Sequence, residues 1–295
     1  DSPLEDLSII ASSISSAIGQ EYQIVDFSPV SGGCINQCFR LSSKDQKSFF
    51  LKKNNREFLP FFKSEAKALE EIELTKSVRV PKPICVGESV HSSFLVIEYI
   101  REGKPGKNGQ ALLGKQLADL HLQVKPFFGW EMDNCIGATP QPNPSNDNWV
   151  SFYRDSRLLH QFDLAREKGY SFKGEERLLE NIGAFFNDYT PQPSLLHGDL
   201  WGGNSGFTDA GEPFIFDPAS YYGDRETDLA FTYMFGGYDS SFYQGYEDIF
   251  PLDSGFPVRK TLYNLYHELN HLNLFGRGYE SSSQSSINQL INQLP

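Results

Sequence analysis

His197-Gly198-Asp199-Leu200-Trp201-Gly202-Gly203-Asn204, followed by Phe214-Ile215-Phe216-Asp217, is the stretch on which the reading of this chain turns. It offers a carboxylate, a carboxamide oxygen five residues later, and a second carboxylate closing an apolar strand. Hard oxygen ligands of this kind suit Mg²⁺, which binds through one or two carboxylates together with substrate phosphates. His-Gly-Asp alone would say little, because Asp and Asn cap turns in ordinary loops. The Asn at a fixed distance and the Phe-Asp at the end of a strand weigh against a purely capping role.

A second constellation lies far upstream. Lys52 belongs to the mostly apolar run Phe49-Phe50-Leu51-Lys52, and Glu65 falls in the helical stretch 62–74. A lysine in a buried strand is costly unless paired, and a helix glutamate is the natural partner. Strand alternation puts Phe50 and Lys52 on one face, which favours Lys52 over Lys53 as the inward cation. The H-x-D-x-x-x-x-N spacing is that of a kinase catalytic loop. On that pattern Asp199 accepts the proton of an attacking hydroxyl. Asn204 and Asp217 hold metal, and Lys52 orients the nucleotide phosphates with Glu65 as its partner. Gly32-Gly33, between two strand-like runs, would cover the nucleotide, although no G-x-G-x-x-G is present. The apolar run Phe94–Ile100 would be the hinge, with adenine held around Glu98, Tyr99 and Ile100. A buried edge strand satisfies the same pattern.

Working outward, the first hundred residues read as a helix with Leu4, Leu7, Ile14 and Ile18 on one face, then short β runs and the 62–74 helix. Residues 101–109 (REGKPGKNG) contain no apolar side chain and mark a hinge or linker. From 110 to 295 the pattern is mainly helical, interrupted by a β patch at 195–216. Residues 125–148 form a loop rich in Pro, Asn and Gly, too long for a mere connection. The expected fold class is therefore α+β with two lobes. Residues 1–100 form a β-rich nucleotide-binding lobe, and 110–295 a helical lobe for catalysis and substrate.

Composition narrows the function. The 295 residues carry 26 basic and 38 acidic groups, a net charge of −12. That balance argues against a nucleic-acid partner. No apolar run approaches the ~20 residues of a membrane helix. Most of the negative charge lies beyond residue 100, which suits metal ions or cationic substrates. Cys34, Cys38, Cys85 and Cys135 form no C-x-x-C pair and no zinc spacing, and no charged-then-apolar leader opens the chain. Free thiols in a reducing, cytoplasmic compartment are the expectation. Cys34 follows the Gly pair, where crowded backbone N–H groups should activate its thiol. Oxidised, it would be a sulfenate, a mixed disulfide or a bridge to Cys34 of a second subunit, the last making a homodimer; a small residue tolerated in a turn is the other reading.

The chain resembles the fructosamine kinases (the ketosamine-3-kinase family), a branch of the aminoglycoside-phosphotransferase-like and protein-kinase-like group. The resemblance runs from about residue 30 to 277. It rests on Gly32-Gly33-x-Ile35-Asn36, Phe50-Leu51-Lys52, Val80-Pro81-Lys82-Pro83, Leu117-Ala118-Asp119-Leu120-His121, the 197–204 loop, Asp217-Pro218-Ala219-Ser220, Met234-Phe235-Gly236-Gly237 and Leu269-Asn270-His271-Leu272-Asn273. Trp201 is the most telling single residue, since aminoglycoside phosphotransferases usually have His-Pro at 201–202. The family often has Ser at position 202, where this chain has Gly. The resemblance implies a two-lobe protein-kinase-like fold, ATP with Mg²⁺, and transfer to the 3-hydroxyl of a ketosamine. The ribulosamine or fructosamine acceptor would be free or protein-bound, and the activity a deglycation repair. Trp201 would then shape the acceptor pocket, although a ring that simply fills core satisfies the same position. Other hydroxylated amines of the aminoglycoside or choline type are the alternative acceptors, and a non-catalytic nucleotide-binding pseudokinase is the alternative class.

Two further readings follow from single residues. Gly198 stands where protein kinases use Arg to read a phosphorylated loop, which points to a constitutive enzyme. His121, His197, His267 and His271 are read as core residues, and Asp228 as a hydrogen-bonding support for the 197–204 loop.

Overall fold

Period-two alternation in the first hundred residues decides the architecture of the N-terminal lobe. The computed structural model describes residues 3–31 and 35–295. It opens with helix α1 (Pro3–Ile18), which ends at Gly19 in the left-handed region, with φ +74°. Strands β1 (Asp26–Pro29), β2 (Gln37–Ser42), β3 (Ser48–Asn55), β4 (Pro83–Glu88) and β5 (Ser92–Glu98) form an antiparallel sheet in the order β1-β2-β3-β5-β4. Helix α2 (Leu59–Thr75) connects β3 to β4. Phe49 and Leu51 of β3, with Phe94 and Val96 of β5, bury themselves against Ile10 and Ile14 of α1. Leu95 and Ile97 point the other way and join Phe62 and Leu69 of α2. The two lysines divide along the same alternation. Lys53 reaches Asp6 of α1 at 2.7 Å, while Lys52 turns toward α2.

The C-terminal lobe follows from residue 109. Its elements are α3 (Gly109–His121), the hairpin β6 (Asn134–Ile136) and β7 (Thr139–Gln141), α4 (Trp149–Tyr153), α5 (Leu159–Glu167), α6 (Glu175–Glu180) and β8 (Ser194–Leu195). After these come the hairpin β9 (Ser205–Phe207) and β10 (Pro213–Ile215), β11 (Tyr222–Gly223), α7 (Glu226–Thr232), α8 (Ser240–Ile249), α9 (Phe256–Phe275) and α10 (Glu280–Asn292). The crossing of α3 and α8 depends on two glycines. A Cβ on Gly114 would stand 2.0 Å from the Phe242 carbonyl, and one on Gly245 would stand 2.2 Å from that of Ala111.

Several boundaries differ from the sequence-based expectation. The helical run that begins at Trp149 contains a π turn at Arg154–Leu158, which buries Arg157 beneath Tyr221, 4.1 Å from its ring. The helix that starts at Glu175 breaks at Asn181 and the chain resumes as a 3₁₀ turn, Ile182–Phe186. Residues 101–109 are tied down rather than loose. Gly103 and Gly106 donate to the carbonyls of Phe207 and Gly211, and Asp209 donates to that of Arg101. The apolar core under α2 continues without a break into Leu113, Leu117, Trp149 and Leu196 of the C-terminal lobe. The cleft between the lobes is thus walled by one shared core. Among the described residues, Cys85 and Cys135 are free thiols, and no helix is long and apolar enough to cross a membrane. Gly32, Gly33 and Cys34, read above as the nucleotide loop and its thiol, lie outside the described residues.

Candidate active site

Lys52 is the point at which the two lobes meet. Its side chain is buried, and its Nζ lies 2.6 Å from Glu65 of α2 and in hydrogen-bond contact with Asp217 beyond β10. Burial alone would lower the ammonium's pKa, but the Asp217 and Glu65 carboxylates more than offset this and hold it well above its usual value. Lys52 therefore remains charged, and three residues far apart in sequence share one ionic cluster.

The loop 197–204 joins β8 to β9, and its backbone is pinned from three sides. His197 is wholly buried, and its ring works in both directions. Nδ1 accepts from the Asp199 N–H at 3.0 Å, and Nε2–H donates to the Phe216 carbonyl at 2.6 Å. One imidazole thus ties Asp199 to the residue preceding Asp217. Burial lowers its pKa, which keeps the ring neutral and able to accept at Nδ1. Asp228 of α7 receives the N–H groups of His197 and Gly198 at 2.8 and 2.9 Å, and His121 Nε2–H at 2.8 Å. His121 is in turn fixed by Tyr246 at 2.7 Å. Burial alone would raise the Asp228 carboxyl. The hydrogen bonds it receives, that from His121 foremost, bring it below the ordinary 3.8. The support predicted from sequence for Asp228 is present in the structure.

Gly198 has a conformational reason for being glycine. Its φ is +92°, and a Cβ would stand 2.0 Å from the Ala219 carbonyl oxygen. No side chain fits there, so a phosphate-reading Arg at this position is excluded by shape.

Asn204 is buried and donates Nδ2 to the Asp199 carbonyl at 2.9 Å and, at 3.4 Å, to its carboxylate. With the NH₂ spent on Asp199, the amide oxygen remains as the hard donor. Asp217 adopts φ +54°, a left-handed conformation that costs a non-glycine residue roughly 1–3 kcal/mol. The turn that follows holds it there, with the Ala219 N–H bonded to the His197 carbonyl at 2.9 Å. Burial, and then the Asp217 charge, raise the Asp199 carboxyl well above its ordinary value. The Asp199 and Asp217 carboxylates repel one another, and with the Asn204 amide oxygen they would offer hard oxygen donors to a small dication.

The other predicted residues line the rim. The Trp201 ring lies across Gly203, packs edge-on against Phe235 at 6.0 Å and is 40% exposed. Gly202 abuts the Gly236 carbonyl, where a Cβ would come within 2.8 Å. Glu98 closes β5, with its carboxylate held by Arg79 at 2.8 Å and the Lys82 N–H at 3.2 Å. Tyr99 carries Arg40 over its ring at 4.5 Å, and Ile100 enters the crossing between lobes half-buried. His267 stacks on Phe231 at 3.6 Å, and burial pushes the pKa of His271 down to about 4. His267 is buried and His271 half-buried among aromatic rings, and among the described residues neither belongs to a metal-holding cluster.

Sequence reasoning missed a polar layer behind the site. Asn134 and Gln141 donate to the carbonyls of Ser220 and Ala219 at 2.8 and 3.3 Å, and Tyr266 donates to Gln141 at 2.6 Å. The one available signal was the unusual length of the 125–148 loop.

The sequence profile of the fructosamine kinase family ("Fructosamine kinase") matches residues 7–293. A Synechocystis protein named "Probable ketoamine kinase" is 44% identical over 283 residues, covering 96% of both chains. The chloroplastic protein-ribulosamine 3-kinase of Arabidopsis thaliana is 40% identical over 282 residues, covering 94% of this chain and 86% of that one. The crystal structure of a Haemophilus somnus protein named "Putative fructosamine-3-kinase" superposes with a TM-score of 0.89 at 30% identity, covering 96% of each chain.

Proposed function

Because this chain belongs to the fructosamine kinase family, and is thus a ketosamine kinase with an alcohol acceptor, we propose that it moves the γ-phosphoryl group of ATP to the 3-hydroxyl of a ribulosamine or fructosamine. The observation that carries the reading is the buried Lys52 held between Glu65 of one lobe and Asp217 of the other. A lysine so placed is a fixed positive point for the α- and β-phosphates. Asp199 accepts the proton of the acceptor hydroxyl and aims its oxygen in line with the γ-phosphorus. Its raised pKa makes it a better base than an ordinary aspartate. Asn204 and Asp217 would hold Mg²⁺, which when bound neutralises developing phosphate charge. Gly32 and Gly33 cover the phosphates, the Glu98–Ile100 crossing receives adenine, and Trp201 forms the wall of the acceptor site. His197 keeps Asp199 and Asp217 in register without entering the chemistry.

A ketosamine presents a cationic amine beside a polyol, and the acidic C-terminal lobe favours that cation. Phosphorylation at O3 destabilises the adduct, which makes the activity a repair of glycated amines, free or on protein lysine. A cytoplasmic location and a redox bridge through Cys34 belong to the same reading. The test is ATP consumption with ribuloselysine, fructoselysine, kanamycin and choline as acceptors. Turnover with a ketosamine and none with kanamycin is expected. Robust turnover of kanamycin or choline with no ketosamine activity would overturn the acceptor assignment. Nucleotide binding without any transfer would favour a pseudokinase.

A further inference from the structure

Glu71 lies on α2 six residues beyond Glu65 and takes no part in the cluster around Lys52. Both of its carboxylate oxygens are nevertheless engaged by the other lobe. Trp130 Nε1–H donates to Oε1 at 3.2 Å, and the Tyr222 hydroxyl donates to Oε2 at 2.9 Å. Trp130 and Tyr222 are only 6% and 5% exposed, so neither donor is a casual surface contact. Gly129 and Tyr222 exchange reciprocal backbone hydrogen bonds of 2.9 Å, which locks the start of the 125–148 loop to β11. The same loop reaches the segment after Asp217, through Asn134 to Ser220 and Gln141 to Ala219. Its Cys135 lies so close to the ionic cluster that burial, then the Glu65 charge, push its thiol up to about 12. One loop therefore touches the helix that carries Glu65 and the turn that follows Asp217.

Geometry gives this contact its leverage. Six residues correspond to about 9 Å along a helix and an azimuthal separation of about 120°. Glu65 and Glu71 thus hold α2 at two heights and two angles, which fixes its rotation. A turn of about 20° would carry a carboxylate about 6 Å from the axis by roughly 2 Å. That is enough to part Glu65 from Lys52.

We propose that the 125–148 loop is a brace for α2, with Glu71, Trp130 and Tyr222 as positioning residues that keep Glu65 seated on Lys52. The brace rests on the kinase reading above and explains how the Lys52–Glu65 pair stands assembled without a phosphorylated loop to order it. The free energy is carried by two hydrogen bonds to one carboxylate in a largely dry contact.

The experiment measures Mg-ATP affinity with a fluorescent ATP analogue, alongside KM for ATP and kcat. Glu71→Ala should weaken ATP binding about tenfold, within the usual range for a coupling residue. Glu71→Gln, which keeps one acceptor oxygen, should recover part of the loss. Trp130→Phe and Tyr222→Phe, each deleting one donor, should lose less than Glu71→Ala. In a Glu65→Gln background, Glu71→Ala should add less than about twofold, because the pair it positions is already broken. A full tenfold loss in that background, or wild-type affinity in Glu71→Ala, overturns the brace. Should Glu71→Ala fail to fold, Tyr222→Phe decides the matter in both backgrounds by the same criteria. Wild type that binds no ATP overturns the kinase reading and the brace with it. Wild type that binds ATP, with every variant unchanged, overturns the brace alone.

Discussion

Replacing Asp228 by Asn tests the framework that holds the catalytic loop. In the structure the carboxylate is buried and receives three donors: the N–H groups of His197 and Gly198, and His121 Nε2–H. Hydrogen bonds to a charged group contribute about 1.5–3 kcal/mol each. Asparagine keeps one acceptor oxygen and turns an NH₂ toward a donor, so one or two bonds are lost and a donor is left buried and unmatched. The expected cost is about 3–5 kcal/mol, which in a chain of this size lowers Tm by roughly 10 °C. Because the lost bonds belong to His197 and Gly198, Asp199 shifts with them, and kcat should fall by about 10²-fold. The effect carries a pH signature. The folded carboxyl lies below its ordinary 3.8, so its stabilisation is fully present above the unfolded value. It is lost as pH falls through the lower, folded value. Urea unfolding of wild type and Asp228→Asn should therefore give a constant difference from pH 7 to about pH 5, shrinking below about pH 4. A difference under about 0.5 kcal/mol at pH 7 with unchanged kcat would refute the reasoning.

Four other substitutions follow from the same geometry. Asp199→Asn should retain ATP affinity and lose about 10²–10⁴ in kcat. Since folding raises the Asp199 carboxyl, its charged form costs stability once pH exceeds the unfolded value, and removing it should raise the Tm of the ligand-free protein at pH 7 by roughly 2–4 °C. Asp217→Ala should abolish the Mg²⁺ dependence of nucleotide binding in a titration with and without the metal. Gly198→Ala should cost about 2–5 kcal/mol in chemical denaturation, from left-handed strain and a collision with Ala219. At Gly236, φ +75° with open space around it, the same substitution should cost only about 1–2 kcal/mol.

Much of the site was legible because its chemistry is written in short-range spacing. Asp199, Asn204 and Asp217 lie on one loop and the strand beyond it, and the phase of β3 distinguished Lys52 from Lys53 before any fold was known. The left-handed Asp217 and the need for glycine at 198 were not legible. Both depend on the Ala219 carbonyl, which only the folded turn brings near. The π turn that buries Arg157 escaped notice because its sequence reads as continuous helix, and burial of the guanidinium is decided by Tyr221 and the Pro142 carbonyl across the lobe. The β6–β7 hairpin was hidden for a similar reason. Its strands are three residues each, too short for alternation to register, and its polar side chains are satisfied by backbone distant in sequence. Glu71 carries no signal in the sequence, because its partners Trp130 and Tyr222 lie 59 and 151 residues away along the chain.

The most direct test of the central claim is a single-turnover reaction of wild type and Asp199→Asn with γ-labelled ATP, Mg²⁺ and ribuloselysine, with the product's phosphate located by phosphorus–proton NMR. The account predicts phosphate on the 3-oxygen of the sugar with wild type, and essentially none with Asp199→Asn although ATP still binds. Release of inorganic phosphate alone, phosphate on another oxygen, or equal product from the two proteins would contradict it.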